Sequence, residues 1–141
     1  MLFDPDNPII QLCAQGMNLE GEGQSAEASL LFEQAWNASS TELEKFISAH
    51  YVARHQKTVA EKLQWDEMAL QLALPIEDER VRGAFPSLYL NVAKGYEDLK
   101  DFDKAKENYQ LALSFTDYLM ADGYGKMIES GIRDGIKRVT P

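Results

Sequence analysis

An all-α fold, three antiparallel helix-turn-helix pairs followed by one further helix, is what this sequence predicts, and three observations predict it. The first is a figure that occurs twice: Ala28, Phe32, Ala35 and again Ala105, Tyr109, Ala112. In each, a large residue follows a small one by four positions and a second small residue comes three later, which sets all three on one helical face. A looser copy, Asp66, Leu70, Ala73, carries the string Leu70-Gln71-Leu72-Ala73-Leu74, close to Tyr109-Gln110-Leu111-Ala112-Leu113. The second observation is a pair of capping boxes, Thr41 with Glu44 and Thr58 with Glu61, each of which opens a helix. The third is that no segment alternates at period two over a useful length, so no sheet is expected.

The elements follow in order. Pro8 and the apolar residues Ile9, Ile10, Leu12, Cys13 and Met17 give a first helix that Gly21-Glu22-Gly23 ends. Ser25 is the expected N-cap of the second, which runs through Leu30, Leu31, Phe32, Ala35 and Trp36 to Asn37-Ala38-Ser39-Ser40. The third runs from the Thr41 box to Gln56, and the fourth from the Thr58 box to Pro75. Residues 77–83 are charged and aperiodic, as a linker is. Pro86 suits the first turn of a fifth helix, with Leu88, Tyr89, Val92 and Tyr96 as its stripe. Lys100-Asp101 turns the chain into a sixth helix ending near Phe115, and 124–139 read as a seventh. The pairs occupy 9–40, 41–76 and 86–117 of a single domain, 1–141.

Composition bounds the function. A chain of 141 residues buries roughly 70% of its unfolded surface, enough for an independent core. The one cysteine, Cys13, excludes an internal disulfide, and no Cys or His spacing suggests zinc. With no basic region leading into an apolar run at the start, and no long apolar stretch, a soluble cytoplasmic protein is expected. Net charge is −9, which disfavours unaided binding to nucleic acid or an anionic membrane. Residues 1–44 hold eight carboxylates (Asp4, Asp6, Glu20, Glu22, Glu27, Glu33, Glu42, Glu44) and no Lys or Arg. From Lys45 to Lys62 the sign reverses, with Lys45, Arg54, Lys57, Lys62, His50 and His55 against Glu61. Such asymmetry suits a solvated face of mixed sign, or docking by complementary charge.

The repeated figure resembles the tetratricopeptide repeat, a helix-turn-helix unit of about 34 residues. With Pro86 as first position, Tyr89, Val92, Ala93, Tyr96, Ala105, Tyr109 and Ala112 occupy the fourth, seventh, eighth, eleventh, twentieth, twenty-fourth and twenty-seventh. A copy starting at Ile9 supplies Leu12, Gly16, Leu19, Ala28, Phe32 and Ala35, with Gln15 where a Leu is usual. The middle copy departs, placing Asp66 at the small twentieth position and Lys57 at the eleventh. Ala35, Ala73 and Ala112 are 38 and 39 residues apart, and the excess over 34 is about one turn, so a lengthened middle helix pair is expected.

The resemblance implies a short right-handed superhelix capped by the last helix, with a groove lined by the first helix of each pair. Its second, fifth, ninth and twelfth positions give Ile10, Cys13, Met17 and Glu20 from the first pair, and Ser87, Leu90, Lys94 and Glu97 from the third. The middle pair gives Ser48, Tyr51 and His55, with Arg54 beside them. One branch of the family grips a terminal carboxylate of chaperones with two Lys, two Asn and an Arg. Here those places hold Cys13, Met17, Val52, Ser87 and Asn91, with no cation, so that ligand is rejected.

Little points to chemistry. His50 and His55 lie about 140° apart around a helix and cannot share a metal. His50 falls on an apolar line with Leu43, Phe46 and Ala53, as a half-buried core histidine with one nitrogen paired would. Asp122-Gly123-Tyr124-Gly125 follows no strand and lacks the third glycine of a dinucleotide loop. Gly131 and Gly135 each cost about 1 kcal/mol in a helix interior, which close approach to the sixth helix would offset. The expectation is a non-catalytic module, without metal or cofactor, that holds a peptide or helix of a partner protein. Its expected contact residues are Cys13, Met17, Glu20, Tyr51, Arg54, His55, Leu90, Lys94 and Glu97. The alternatives are a homodimer, joined through the acidic first pair and either the basic third helix or the C-terminal helix, and a hydrolase using His55 and a carboxylate.

Overall fold

Each long helix begins and ends where local chemistry permits. In the computed structural model, which describes residues 3–141, α1 (Pro8–Gly21) opens on Asn7, whose side-chain oxygen accepts from the amides of Ile9 and Ile10. Pro8 fills the first turn, where its missing amide leaves nothing unpaired. α2 (Ser25–Ala38) follows a three-residue turn in which Gly23 adopts φ +80°, a left-handed conformation open to glycine at little penalty. Ser25, the expected N-cap, is instead the first helical residue; Gln24 precedes it and makes no side-chain capping bond. α3 (Glu42–Ala53) starts with the expected capping box, Thr41 and Glu44 satisfying each other's backbone. At α4 (Val59–Ala73) only half of the second box forms, with Thr58 accepting from the Glu61 amide.

Beyond Ile76 the chain forms a second compact unit. The stretch expected as a linker contains a single helical turn, α5 (Glu79–Arg82), opened by the Asp78 carboxylate. Val81 explains it: the one apolar residue in that charged run is fully buried and pins the turn. α6 (Phe85–Asp98) and α7 (Phe102–Ser114) form the next hairpin, a 3₁₀ turn spans Thr116–Tyr118, and α8 (Gly123–Val139) ends the fold. Every regular element among the described residues is helical.

Within the first unit α1 pairs with α2 and α3 with α4, and α3 also packs on α2 and α1. Ala28, Phe32 and Ala35 are fully buried. Gly16 lets α1 and α2 approach so closely that a Cβ there would overlap the Phe32 ring. Burial of that ring contributes about 2–3 kcal/mol. Trp36 of α2 meets Trp65 of α4 edge to face at 5.1 Å. In the second unit α6 pairs with α7, and α8 covers both. Ala93, Ala105, Tyr109 and Val139 form one cluster of its core, with Leu90, Tyr96 and Ile136 against it.

The expected lengthening of the middle pair is corrected. α4, with 15 residues, is slightly longer than α2 and α7, with 14 and 13, but α3, with 12, is shorter than α1 and α6, with 14 each, so the pair as a whole is no longer than the others. The extra residues enter the connections instead: five, 54–58, join α3 to α4, where three join α1 to α2 and α6 to α7. Asp66, at the place of a small residue, is buried and reaches Lys62 Nζ at 2.6 Å. Burial raises its pKa above the usual carboxylate range, and Lys62 opposes the shift.

Candidate functional site

The most organised polar cluster joins α1 to α3. Glu20, in the last turn of α1, lies 2.7 Å from His55 Nε2 and 3.3 Å from the Arg54 guanidinium at the end of α3. At the opposite ends of the same helices, Asn7 Nδ2 donates to Glu44 Oε2 at 2.9 Å. Start meets start and end meets end, so α1 and α3 run parallel. Beneath the cluster, Phe32 stacks on Tyr51 at 5.1 Å and on His55 at 5.5 Å. The Arg54 guanidinium stands 5.8 Å from the centre of the Tyr51 ring. A buried aromatic thus supports a ring, and the ring supports a cation.

The same construction appears in the second unit. Glu97, near the end of α6, accepts from Nε and NH2 of Arg138 on α8 and from the Tyr109 hydroxyl at 2.7 Å. Glu20 and Glu97 are 77 residues apart, as are Phe32 and Tyr109, and Gly23 and Lys100. Lys100 has φ +65°, so this turn repeats the left-handed conformation of Gly23 without a glycine. At Gly135 a Cβ would overlap the Tyr109 ring, which is the close approach of α8 to α7 expected from that glycine. Hydrogen bonds from Arg138 hold the Glu97 carboxyl below its usual range, and burial pushes the Tyr109 hydroxyl up.

The expected contact residues divide accordingly. Glu20, Tyr51, Arg54 and His55 come together, and Met17 lies three residues before Glu20 on the same face of α1, with 44% of its surface exposed. Cys13 does not join them: it is buried in the core, and burial pushes its thiol up to about 12. Ser48 and Ser87 are buried too, each donating to a backbone carbonyl one turn back, Ser48 to Glu44 and Ser87 to Ala84. Leu90 is half-buried against Gly131 of α8, Lys94 pairs with Asp98, and Glu97 is held by Arg138 and Tyr109. His50 is half-buried, as expected, but its Nδ1 is buried without a partner where one paired nitrogen was expected.

Sequence reasoning missed Phe32 as the support of the cluster and Arg138 as the partner of Glu97. An offset of 77 residues links Phe32 to Tyr109 and Glu20 to Glu97, and an offset of 84 links Arg54 to Arg138.

Chemically, a histidine on a carboxylate can serve as a general base, but a nucleophile must stand beside it. The single thiol is buried with a raised pKa, the reverse of activation. Among the described residues no group of three or more His, Cys, Asp or Glu is placed to hold a metal ion. No helix among them is long and apolar enough to cross a membrane.

Fold and site together define an all-helical protein of antiparallel hairpins in which the parallel helices α1 and α3 are joined by a hydrogen bond at their starts and by an ion-pair cluster at their ends. Comparison with known protein families, with curated proteins and with solved structures gives no match in any of the three.

Proposed function

We propose that this chain is a non-catalytic interaction module, resembling tetratricopeptide repeats, that holds a peptide or helix of a partner protein against the α1–α3 face. One observation carries the reading: Arg54 is presented rather than buried. Its side chain is 47% exposed while Glu20 beneath it is 17% exposed, and apart from that carboxylate and the Tyr51 ring it has no partner among the described residues. Most of its five N–H donors are therefore open on a rigid aromatic platform, beside the exposed apolar Met17. Arg and aromatic side chains supply much of the energy at protein contacts, and Met adapts to varied apolar surfaces.

A non-catalytic role also accords with Glu20, whose two oxygens are shared between His55 and Arg54. The test uses Met17→Ser combined with Arg54→Ala, since both side chains are exposed and Tyr51 stacks on the core. Affinity capture with this double variant should lose the partner that the unaltered chain retains, while the melting temperature stays within a few degrees. Undiminished capture would move the site off this face.

A further inference from the structure

The outer face of α8 is the least explained surface of the second unit. α8 occupies against α6 and α7 the position that α3 occupies against α1 and α2: Arg138 corresponds to Arg54, and Gly135, which abuts Tyr109, corresponds to Tyr51, which stacks on Phe32. α3 is covered by α4, and no described helix covers α8 in the same way. Where α3 has the buried Phe46, Ala49 and Ala53, α8 has the exposed Ser130, Arg133 and Lys137. This face is open, cationic along its length and apolar at its start. Tyr124 and Met127, in the first turns of α8, are 57% and 61% exposed, and Met120, in the connection just before the helix, is 67% exposed. α8 carries Lys126, Arg133, Lys137 and Arg138 against Glu129 and Asp134; Arg133 is tied to Glu129 and Arg138 to Glu97, which leaves Lys126 and Lys137 against Asp134 on the open face. Lys126 and Lys137 have no ion-pair partner among the described residues.

The opposite chemistry lies on the α1–α2 hairpin. From Pro8 to Ala38 there are four glutamates and no cation. Glu22, Glu27 and Glu33 are exposed without ion partners among the described residues. On α2, Leu30 is 66% exposed and stands three residues from Glu27 on one side and from Glu33 on the other. An apolar knob between carboxylates complements an apolar patch followed by cations.

We propose that the outer face of α8 docks on the α1–α2 hairpin of a second copy of this chain. The contact is heterologous, joining unlike surfaces head to tail, so each copy keeps one free surface of each kind. Its polar half makes it salt-sensitive, since exposed charges beyond a Debye length are screened. The partner surface is not the α1–α3 face assigned above, and the two readings stand or fall separately.

Light scattering on the full chain tests the proposal with two charge-reversal variants, one Lys126→Glu with Lys137→Glu, the other Glu27→Lys with Glu33→Lys. The unaltered chain should gain average mass with concentration at about 20 mM salt and return toward monomer at about 0.5 M, where the Debye length falls to a few ångströms. Each variant alone should remain monomeric, and an equal mixture of the two should recover the association of the unaltered chain. Met17→Ser with Arg54→Ala should associate normally. A chain that is monomeric at every concentration in low salt, variants that associate as the unaltered chain does, or a mixture that stays monomeric would each overturn the proposal.

Discussion

Two glycines four residues apart on α8 serve different ends, and single methyl groups separate them. At Gly135 a Cβ would overlap a Tyr109 ring that is fully buried and whose hydroxyl is engaged by Glu97 and Arg138. The ring has nowhere to move, so Gly135→Ala should destabilise the second unit by about 1–3 kcal/mol through overpacking. At Gly131 a Cβ would meet only Leu90, at an ordinary 3.5 Å. Gly131→Ala should then gain up to about 1 kcal/mol of helix propensity. Denaturation followed by circular dichroism should give effects of opposite sign; equal effects would show that α8 does not approach α7 at Gly135. Lys100 offers a similar contrast, holding φ +65° where the matching turn uses Gly23. A left-handed non-glycine costs about 1 kcal/mol or more, so Lys100→Gly should raise the unfolding midpoint. An unchanged or lowered midpoint would place no strain in that turn.

At the scale of elements, sequence reading succeeded where the information is local. Capping residues and the 3.6-residue period act within a turn or two, and they located all seven long helices. It failed where one residue outweighed its neighbours: Val81 turns a charged linker into a helical turn by being buried. α8 is held through few polar groups, which makes its attachment testable. Glu97 joins α6 to α8 through Arg138 and to α7 through Tyr109. Glu97→Gln keeps the shape and removes the charge, and should weaken that attachment by about 1 kcal/mol, equivalent to about fivefold faster amide exchange in the last turns of α8. Amides of α1 to α4 should be unaffected. Unchanged exchange in α8 would mean that Gly135 packing alone holds the helix.

At the scale of the whole molecule, His50 ties stability to acidity. Burial, with Arg54 and Lys62 adding to it, lowers its pKa from 6.5 to about 4. Between those values the unfolded chain binds a proton that the folded chain refuses, so the contribution is complete above pH 6.5 and is lost as pH falls toward 4. The shift corresponds to about 3 kcal/mol. Both tryptophans, Trp36 and Trp65, belong to the first unit, so their emission follows its unfolding alone. Denaturation midpoints by tryptophan emission should fall across this window, and His50→Leu should flatten that part of the profile; an unchanged slope would exclude His50 as its source. By itself the sequence determined the helices, their pairing and which small and large residues fill the space between them, because spacing and capping act over a few residues. Tertiary structure alone decided which charges meet between helices. Each residue turns the helix by about 100°, so whether a side chain reaches a neighbour or solvent depends on how a whole helix is rotated in its packing. That rotation took Cys13 into the core, set Glu20 beneath Arg54 and His55, and gave Glu97 to Arg138 across 41 residues of chain.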